Sequence, residues 1–250
     1  MTAAPHDQIW PAATVIVMRE RTDGAPELLM VERARAMAFA GGALVFPGGR
    51  VDERDRLAAG AIGAFDIDET AARIAAIRET IEEAGLAIGV RGPIAVEDAR
   101  RRLYAGEGVG EVIGLDRLSL DVLVPFARWL PRGVSHKVFD TRFYLTRLPA
   151  DAPAPVVDGN ENTRLFWASA QQVLDAAREG RARIIFPTRR NLERLARFAD
   201  YDAAAADARA RPVRTVTPWI ETRDGTEMLC IPGDLGYPVT SEPLHSAGRA

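Results

Sequence analysis

The sequence predicts an α+β fold rather than a doubly wound sheet. A β-branched apolar run at 12–20 and a second run at 27–33 are separated by a short turn-like segment, which is typical of adjacent strands. A helical pattern begins at residue 68, and alternating segments at 140–149 and 163–169 predict further strands. Strands and helices therefore do not alternate strictly, and this order favours an α+β or sandwich architecture.

The other elements are predicted from the same periodicities. They are a polar helix at 96–105, a strand entering a turn at 118–131, helices at 170–180 and 188–201, and a hairpin at 215–232 closed by Asp224 and Gly225. In the second of these helices, Leu192, Leu195 and Phe198 share one face, so we expect it to pack on the main domain.

The domain organisation follows from this order of elements. We expect one domain over 10–235, with the segment 170–235 as a C-terminal extension of helices and a hairpin. The stretch 50–67 has no clean period and predicts an inserted loop. Residues 236–250 predict a flexible tail.

The composition is that of an ordinary globular protein. The chain has 250 residues, of which 47% are hydrophobic and 27% charged, and its net charge is −3. This balance gives no reason to expect nucleic acid or a membrane as a partner. Cys230 is the single cysteine, which suits a reducing compartment, and no segment is long and apolar enough to span a bilayer. We expect a cytoplasmic protein, for which a homodimer remains open.

The helix that begins at residue 68 concentrates carboxylates on one side. Three isoleucines fall on a narrow stripe that should face the core: Ile74, Ile77 and Ile81. Three glutamates project almost opposite, and we expect them to form an outward-facing patch: Glu79, Glu82 and Glu83. Arg78 alone cannot balance three carboxylates. A cluster of oxygen ligands suits a hard divalent cation, Mg²⁺ or Mn²⁺, whereas a solvated acidic face is the simpler alternative.

The segment RETIEEAGL, preceded by a glycine pair, resembles the Nudix box, G-x5-E-x7-R-E-U-x-E-E-x-G-U, in which U is an apolar residue. The matching positions in its second half are Arg78, Glu79, Glu82, Glu83, Gly85 and Leu86. The chain between Gly49 and Arg78 is longer than the pattern, which predicts an insertion. Counted back from Arg78, the first glutamate of the pattern falls on Thr70, beside Glu69. The resemblance implies the α/β/α Nudix sandwich with a mixed sheet.

A second resemblance concerns the segment 29–49. It is similar to the signature that precedes the box in coenzyme A diphosphatases, and the agreeing positions are Arg33, Ala34, Gly42, Phe46, Pro47, Gly48 and Gly49. Met30, Val31 and Ala38 depart from that signature. Over about residues 12–238 the chain resembles the long, peroxisomal-type acyl-coenzyme A diphosphatase branch. This implies cleavage of coenzyme A or acyl-coenzyme A to 3′,5′-ADP and (acyl-)phosphopantetheine.

The alternatives are an ADP-ribose or NADH (dinucleotide) diphosphatase, or a Nudix domain that senses nucleotides without catalysis. The intact second half of the box, from Arg78 to Gly85, argues against the sensor, because sensing does not need a full metal site.

The resemblances also imply roles for single residues. The box glutamates Glu79, Glu82 and Glu83 would bind the metal, and Arg78 would hold one of these carboxylates in place. Gly48 and Gly49 would let the backbone approach the diphosphate, and Arg33 would bind substrate. Glu161, in the loop before a strand, would serve as a base or a further ligand. Further arginines that suit the 3′-phosphate of coenzyme A are Arg35, Arg189 and Arg190.

Overall fold

The computed structural model describes residues 8–37, 39–134, 137–159 and 161–247. The strands are β1 (Ile9–Arg19), β2 (Glu27–Arg33), β3 (Ala43–Val45), β4 (Gly48–Arg50), β5 (Val124–Trp129), β6 (Val138–Arg147), β7 (Asn162–Ser169), β8 (Arg183–Ile184), β9 (Thr215–Val216), β10 (Trp219–Arg223), β11 (Thr226–Cys230) and β12 (Ser241–Pro243). The helices are α1 (Glu53–Ala61), α2 (Ile67–Ala84), α3 (Val96–Tyr104), α4 (Val109–Val112), α5 (Ala170–Arg178), α6 (Phe186–Leu195) and α7 (Tyr201–Ala210).

Within these residues, nine strands form one mixed sheet and three form a small antiparallel sheet. The path of the large sheet is β8-β3-β2-β1-β6-β5-β9, with β4 paired to β1 and β7 paired to β2. β1 runs parallel to β6 and antiparallel to both β2 and β4. The small sheet has the order β10-β11-β12. This is the predicted α+β Nudix fold with a mixed sheet.

Alternate residues of β1 enter two different apolar cores. Val15 and Val17 lie with α1 to α4 on one face of the large sheet. Ile16 and Met18 lie on the other face with α5, α6, α7 and the small sheet. The period of two in a strand is what sends neighbouring side chains to opposite faces. The sandwich therefore has a helical layer on each side of the sheet.

Helix α2 is the element that positions the box residues. The Asp66 side chain accepts the Glu69 N–H at its start, and Gly85 ends it in the left-handed conformation with φ of 66°. The three isoleucines of the predicted stripe are fully buried. The helix packs on β1 and β4, so its box residues meet the glycine pair of β4.

Three expectations about the outer segments were wrong. The stretch 50–67 contains helix α1, which is capped by Asp52 and packs on α2, rather than an inserted loop. The predicted flexible tail contains strand β12, which pairs with β11, and buries Leu244 and Ala247. The helix expected at 188–201 ends at Leu195, and a separate helix α7 follows it. Residues 248–250 of the predicted tail lie outside the described residues.

Candidate active site

The box carboxylates are buried, so the prediction of an outward-facing patch was wrong. Glu82 and Glu83 are only 7% and 4% exposed. They lie on the side of α2 away from the isoleucines, but β4 covers that side of the helix. The cover is possible because β4 brings two glycines to the helix: a Cβ on Gly49 would stand 2.4 Å from the Glu79 carboxylate. Gly49 therefore allows close contact between the β4 backbone and the Glu79 carboxylate, whereas the approach of this backbone to a diphosphate stays a prediction.

Arg78 is held among several oxygen acceptors. Its Nη1 donates to Glu79 Oε1 and to Glu82 Oε2, both at 2.8 Å. Its Nη2 donates to the carbonyl oxygen of Arg50 at 2.7 Å and to Asp55 Oδ2 at 3.1 Å. The guanidinium thus fixes two box carboxylates and ties α2 to β4 and α1. This geometry matches the positioning role expected of Arg78, extended from one carboxylate to two.

Asp55 is one of two site residues that sequence reasoning missed. It is 1% exposed and contacts Arg78 through both carboxylate oxygens. Counted forward from Gly49, Asp55 occupies the position of the first glutamate of the box, G-x5-E, with aspartate in place of glutamate. The residues inserted into the box therefore follow Asp55 rather than Gly49. The spacing counted forward from Gly49 would have predicted Asp55 as the first acidic residue of the box.

Counting back from Arg78 leads instead to Thr70 and the neighbouring Glu69, and Glu69 lies elsewhere. Its carboxylate pairs with Arg73 at 2.9 Å and with Arg142 at 3.2 Å, and it accepts the Tyr144 hydroxyl at 3.1 Å. These partners belong to the N-terminal half of α2 and to β6. Glu69 is therefore part of a separate ion-pair group.

Glu83 accepts hydrogen bonds from two segments of the chain and forms an ion pair with a third. The Gly48 N–H donates to its Oε2 at 2.8 Å, and Asn162 Nδ2 donates to its Oε1 at 3.1 Å. Arg33 Nη1 lies 4.0 Å from the same Oε1. Arg33 and Gly48, both predicted from the upstream signature, therefore meet the box at Glu83. Asn162 is 1% exposed and was not predicted, because nothing in the local pattern of β7 distinguishes it.

Glu161 precedes Asn162 and is exposed. Its carbonyl accepts the Ala34 N–H at 2.8 Å, and its own N–H donates to Asp158 Oδ2 at 2.8 Å. These backbone contacts hold the segment at the edge of the site, next to the residue that reaches Glu83. A role for the Glu161 side chain stays a prediction.

Burial dominates the electrostatics of the carboxylates. It raises the pKa of Glu79 to about 8, against the lowering effect of Arg78, and the neighbouring Glu83 and Glu82 raise it further. Burial likewise raises the pKa of Glu83 to about 7, although the Gly48 N–H and the Asn162 amide oppose this. The pKa of Glu82 is raised mainly by burial. Arg78 is only a partial compensation for this negative charge.

The donor set fits a hard divalent cation in its chemistry. Arg78 occupies one oxygen each of Glu79 and Glu82, which leaves their second oxygens to face a cation. Two buried polar atoms at the same place, Arg33 Nε and Asn162 Oδ1, have no partner among the described residues. In those ranges, no three acidic, histidine or cysteine side chains already converge as metal ligands.

The comparisons with known proteins give similarity to Nudix hydrolases. No family model matches the chain. One similar protein is nudix hydrolase 7 of Caenorhabditis elegans, a protein whose own function is assigned by inference. It is 26% identical to this chain over 239 residues, which cover 91% of this chain and 75% of that protein. The crystal structure of a Nudix hydrolase from Alicyclobacillus acidocaldarius is 29% identical and has a TM-score of 0.70, covering 80% of this chain and 96% of that one.

Together with the box residues gathered on α2, the fold and this similarity are those of Nudix hydrolases and support a diphosphatase enzyme. Members of the family typically use divalent metals. In the described part of the chain, none of the helices has the length and apolar character needed to cross a bilayer.

Proposed function

We propose that the enzyme hydrolyses coenzyme A or acyl-coenzyme A at the diphosphate, giving 3′,5′-ADP and (acyl-)phosphopantetheine, with Mg²⁺ or Mn²⁺. The observation that carries this proposal is the contact of Arg33 with Glu83. Arg33 belongs to the segment 29–49, which resembles the coenzyme A signature. The Nε of its side chain is buried without a partner among the described residues, so it suits an anionic group of the substrate.

The residues of the site divide the chemistry between them. Glu79, Glu82 and Glu83 would hold the cation, which supplies charge neutralisation at the diphosphate and a water of lowered pKa. Arg78 and Asp55 fix Glu79 and Glu82, whereas Gly48 and Asn162 fix Glu83. A base at the rim would accept the proton of the attacking water, and Glu161 is our candidate.

The test offers the purified protein acyl-coenzyme A, coenzyme A, ADP-ribose and NADH with Mg²⁺ or Mn²⁺. We expect the highest kcat/KM for the coenzyme A compounds, release of 3′,5′-ADP, an intact thioester and no turnover after chelation. Faster turnover of ADP-ribose or NADH would contradict the coenzyme A assignment and support the alternative diphosphatases. No turnover of any of them would favour the nucleotide sensor.

The same assay checks the carboxylates. We expect Glu82→Gln to lower kcat by about 10²- to 10³-fold, the effect of removing one preorganised electrostatic group. Glu69→Gln is the matched control, because it removes an acidic residue from the same helix outside the site and should leave kcat unchanged. A Glu82→Gln protein that stays folded and turns over at the parental rate would refute the ligand assignment.

Recognition of the 3′-phosphate can be tested with dephospho-coenzyme A. Arg190 is an unsuitable candidate, because its side chain is buried against Glu193 and Glu242, each at 3.0 Å. Arg189 lies beside the same cluster, 3.7 Å from Glu242. Arg35 is exposed and close in sequence to Arg33. If one charge-assisted contact binds the 3′-phosphate, kcat/KM should be roughly tenfold lower for dephospho-coenzyme A than for coenzyme A. If Arg35 makes that contact, Arg35→Gln should abolish this difference between the two substrates.

A further inference from the structure

A cluster of partly buried aromatic side chains lies beside the active site and takes no part in the chemistry described above. The Phe139 ring centroid is 5.8 Å from that of Trp10 and 4.8 Å from that of Phe39. The exposed Arg50 places its guanidinium 5.6 Å from the centre of the Trp10 ring. We call Trp10, Phe39, Phe139 and Arg50 the aromatic cluster.

Two chain segments lead directly from the carboxylates to the aromatic cluster. Arg50 follows Gly49, and its carbonyl oxygen accepts a hydrogen bond from Arg78. Phe39 projects from the loop that starts after Arg33 and is closed by the hydrogen bond from the Gly42 N–H to the Arg33 carbonyl at 3.0 Å. The cluster is therefore fixed in position relative to the box residues by backbone contacts.

The register of the sheet places the cluster on one face. Trp10 lies opposite Phe139 in the parallel pair of β1 and β6, and Ala12 lies opposite Arg50 in the antiparallel pair of β1 and β4. Because Trp10 and Ala12 are two residues apart, the side chains of Trp10, Phe139 and Arg50 share the face opposite α2. The glycine pair thus lies between this aromatic surface and the carboxylates.

The chemistry of the cluster suits a planar base followed by a phosphate. Aromatic side chains stack on nucleobases, and an arginine at the edge of such a surface can pair with a phosphate oxygen. We propose that the aromatic cluster binds the adenine of an ADP-containing substrate, with Arg50 directed to the adjoining phosphate. This inference rests on the proposed function, since it assumes that the diphosphate lies at Gly48 and Gly49.

Binding can be measured without turnover by the quenching of tryptophan fluorescence with AMP. We expect AMP to quench the parent protein and the control variant Trp219→Leu, which removes another partly exposed tryptophan, on β10. Trp10→Leu should lose the AMP-dependent quenching. Undiminished quenching in a folded Trp10→Leu protein would overturn the assignment.

Kinetics supply the second readout. Phe39→Leu should raise KM for an ADP-containing substrate by roughly tenfold, the range of one base stack, and leave kcat unchanged, whereas Phe39→Tyr should retain the parental KM. Unchanged KM in Phe39→Leu with normal hydrolysis by the parent would refute the base site alone. If AMP quenches Trp10 but the protein hydrolyses none of the offered substrates, the hydrolase proposal is refuted and the base site is retained.

Discussion

At the scale of single residues, few positive groups compensate the negative charge of several buried carboxylates in the site. Arg78 contacts Glu79, Glu82 and Asp55, and the net effect on its own pKa is upward because these carboxylates outweigh its burial. Removing one partner of a buried charge leaves the other uncompensated, which is costly. The positions around Arg78 should therefore be sensitive to substitutions that preserve shape but remove charge.

Asp55→Asn tests this sensitivity. It replaces two charge-assisted contacts to Arg78 with neutral ones, and we expect it to lower the free energy of unfolding by about 2 kcal/mol. It should also lower kcat, because Glu79 and Glu82 lose the fixed position of Arg78. Urea denaturation and the coenzyme A assay measure the two effects.

Asp52→Asn is the matched control for Asp55→Asn. Asp52 is one turn away and 3.8 Å from Arg78, but its side chain is 60% exposed. Such a pair contributes less than about 1 kcal/mol, and asparagine caps a helix as well as aspartate does. Equal losses in the two variants would show that the Asp55 contact is not special.

At the scale of elements, periodicity predicted those parts of the fold that have one apolar side. Helix α2, the pair β1 and β2, and the hairpin of β10 and β11 all follow from local pattern and turn chemistry. Helix α1 escaped because its buried residues are Asp55, Ala58 and Ala59, which give no apolar stripe. Asn162 was not predicted as a site residue because its contact is with Glu83, which is distant in the sequence, whereas the spacing from Gly49 would have predicted Asp55.

The junction of α6 and α7 gives a pH-dependent prediction. Asp207 accepts from Arg194 Nη2 at 2.8 Å and from Arg211 Nε at 2.9 Å. Partial burial would raise the pKa of Asp207, but these two arginines lower it below its usual value near 3.8. A lowered carboxyl pKa stabilises the fold above the unfolded value, and this stabilisation is lost as pH falls through the folded value.

Asp207→Asn should therefore destabilise the protein by about 2 kcal/mol at pH 7, and the difference from the parent should shrink below pH 3.8. Chemical denaturation of both proteins over this range measures it. Asp202→Asn is the control, since Asp202 lies on the same helix and pairs with Arg147 at an exposed position. A difference between Asp207→Asn and the parent that is constant with pH would contradict the electrostatic explanation.

At the scale of the whole molecule, the C-terminal extension shares a core with the catalytic domain. Leu192 and Leu195 of α6, together with Leu229 and Ile231, lie in the same apolar cluster as Ile16 of β1. Arg194 reaches across to donate to the carbonyl of Phe126 on β5 at 2.9 Å. Strand β9 adds to the edge of the large sheet by parallel pairing with β5.

Deleting 186–250 should therefore leave the protein insoluble or only weakly folded, because it uncovers one apolar face of the central sheet. Expression in soluble form and thermal unfolding followed by circular dichroism measure the outcome. A chain that ends at residue 247 is the control, since it retains every contact described above and should melt like the parent. If the chain that ends at residue 185 melted cooperatively at the parental temperature, the extension would be an independent module, and the two-sided core would not be what stabilises the catalytic domain.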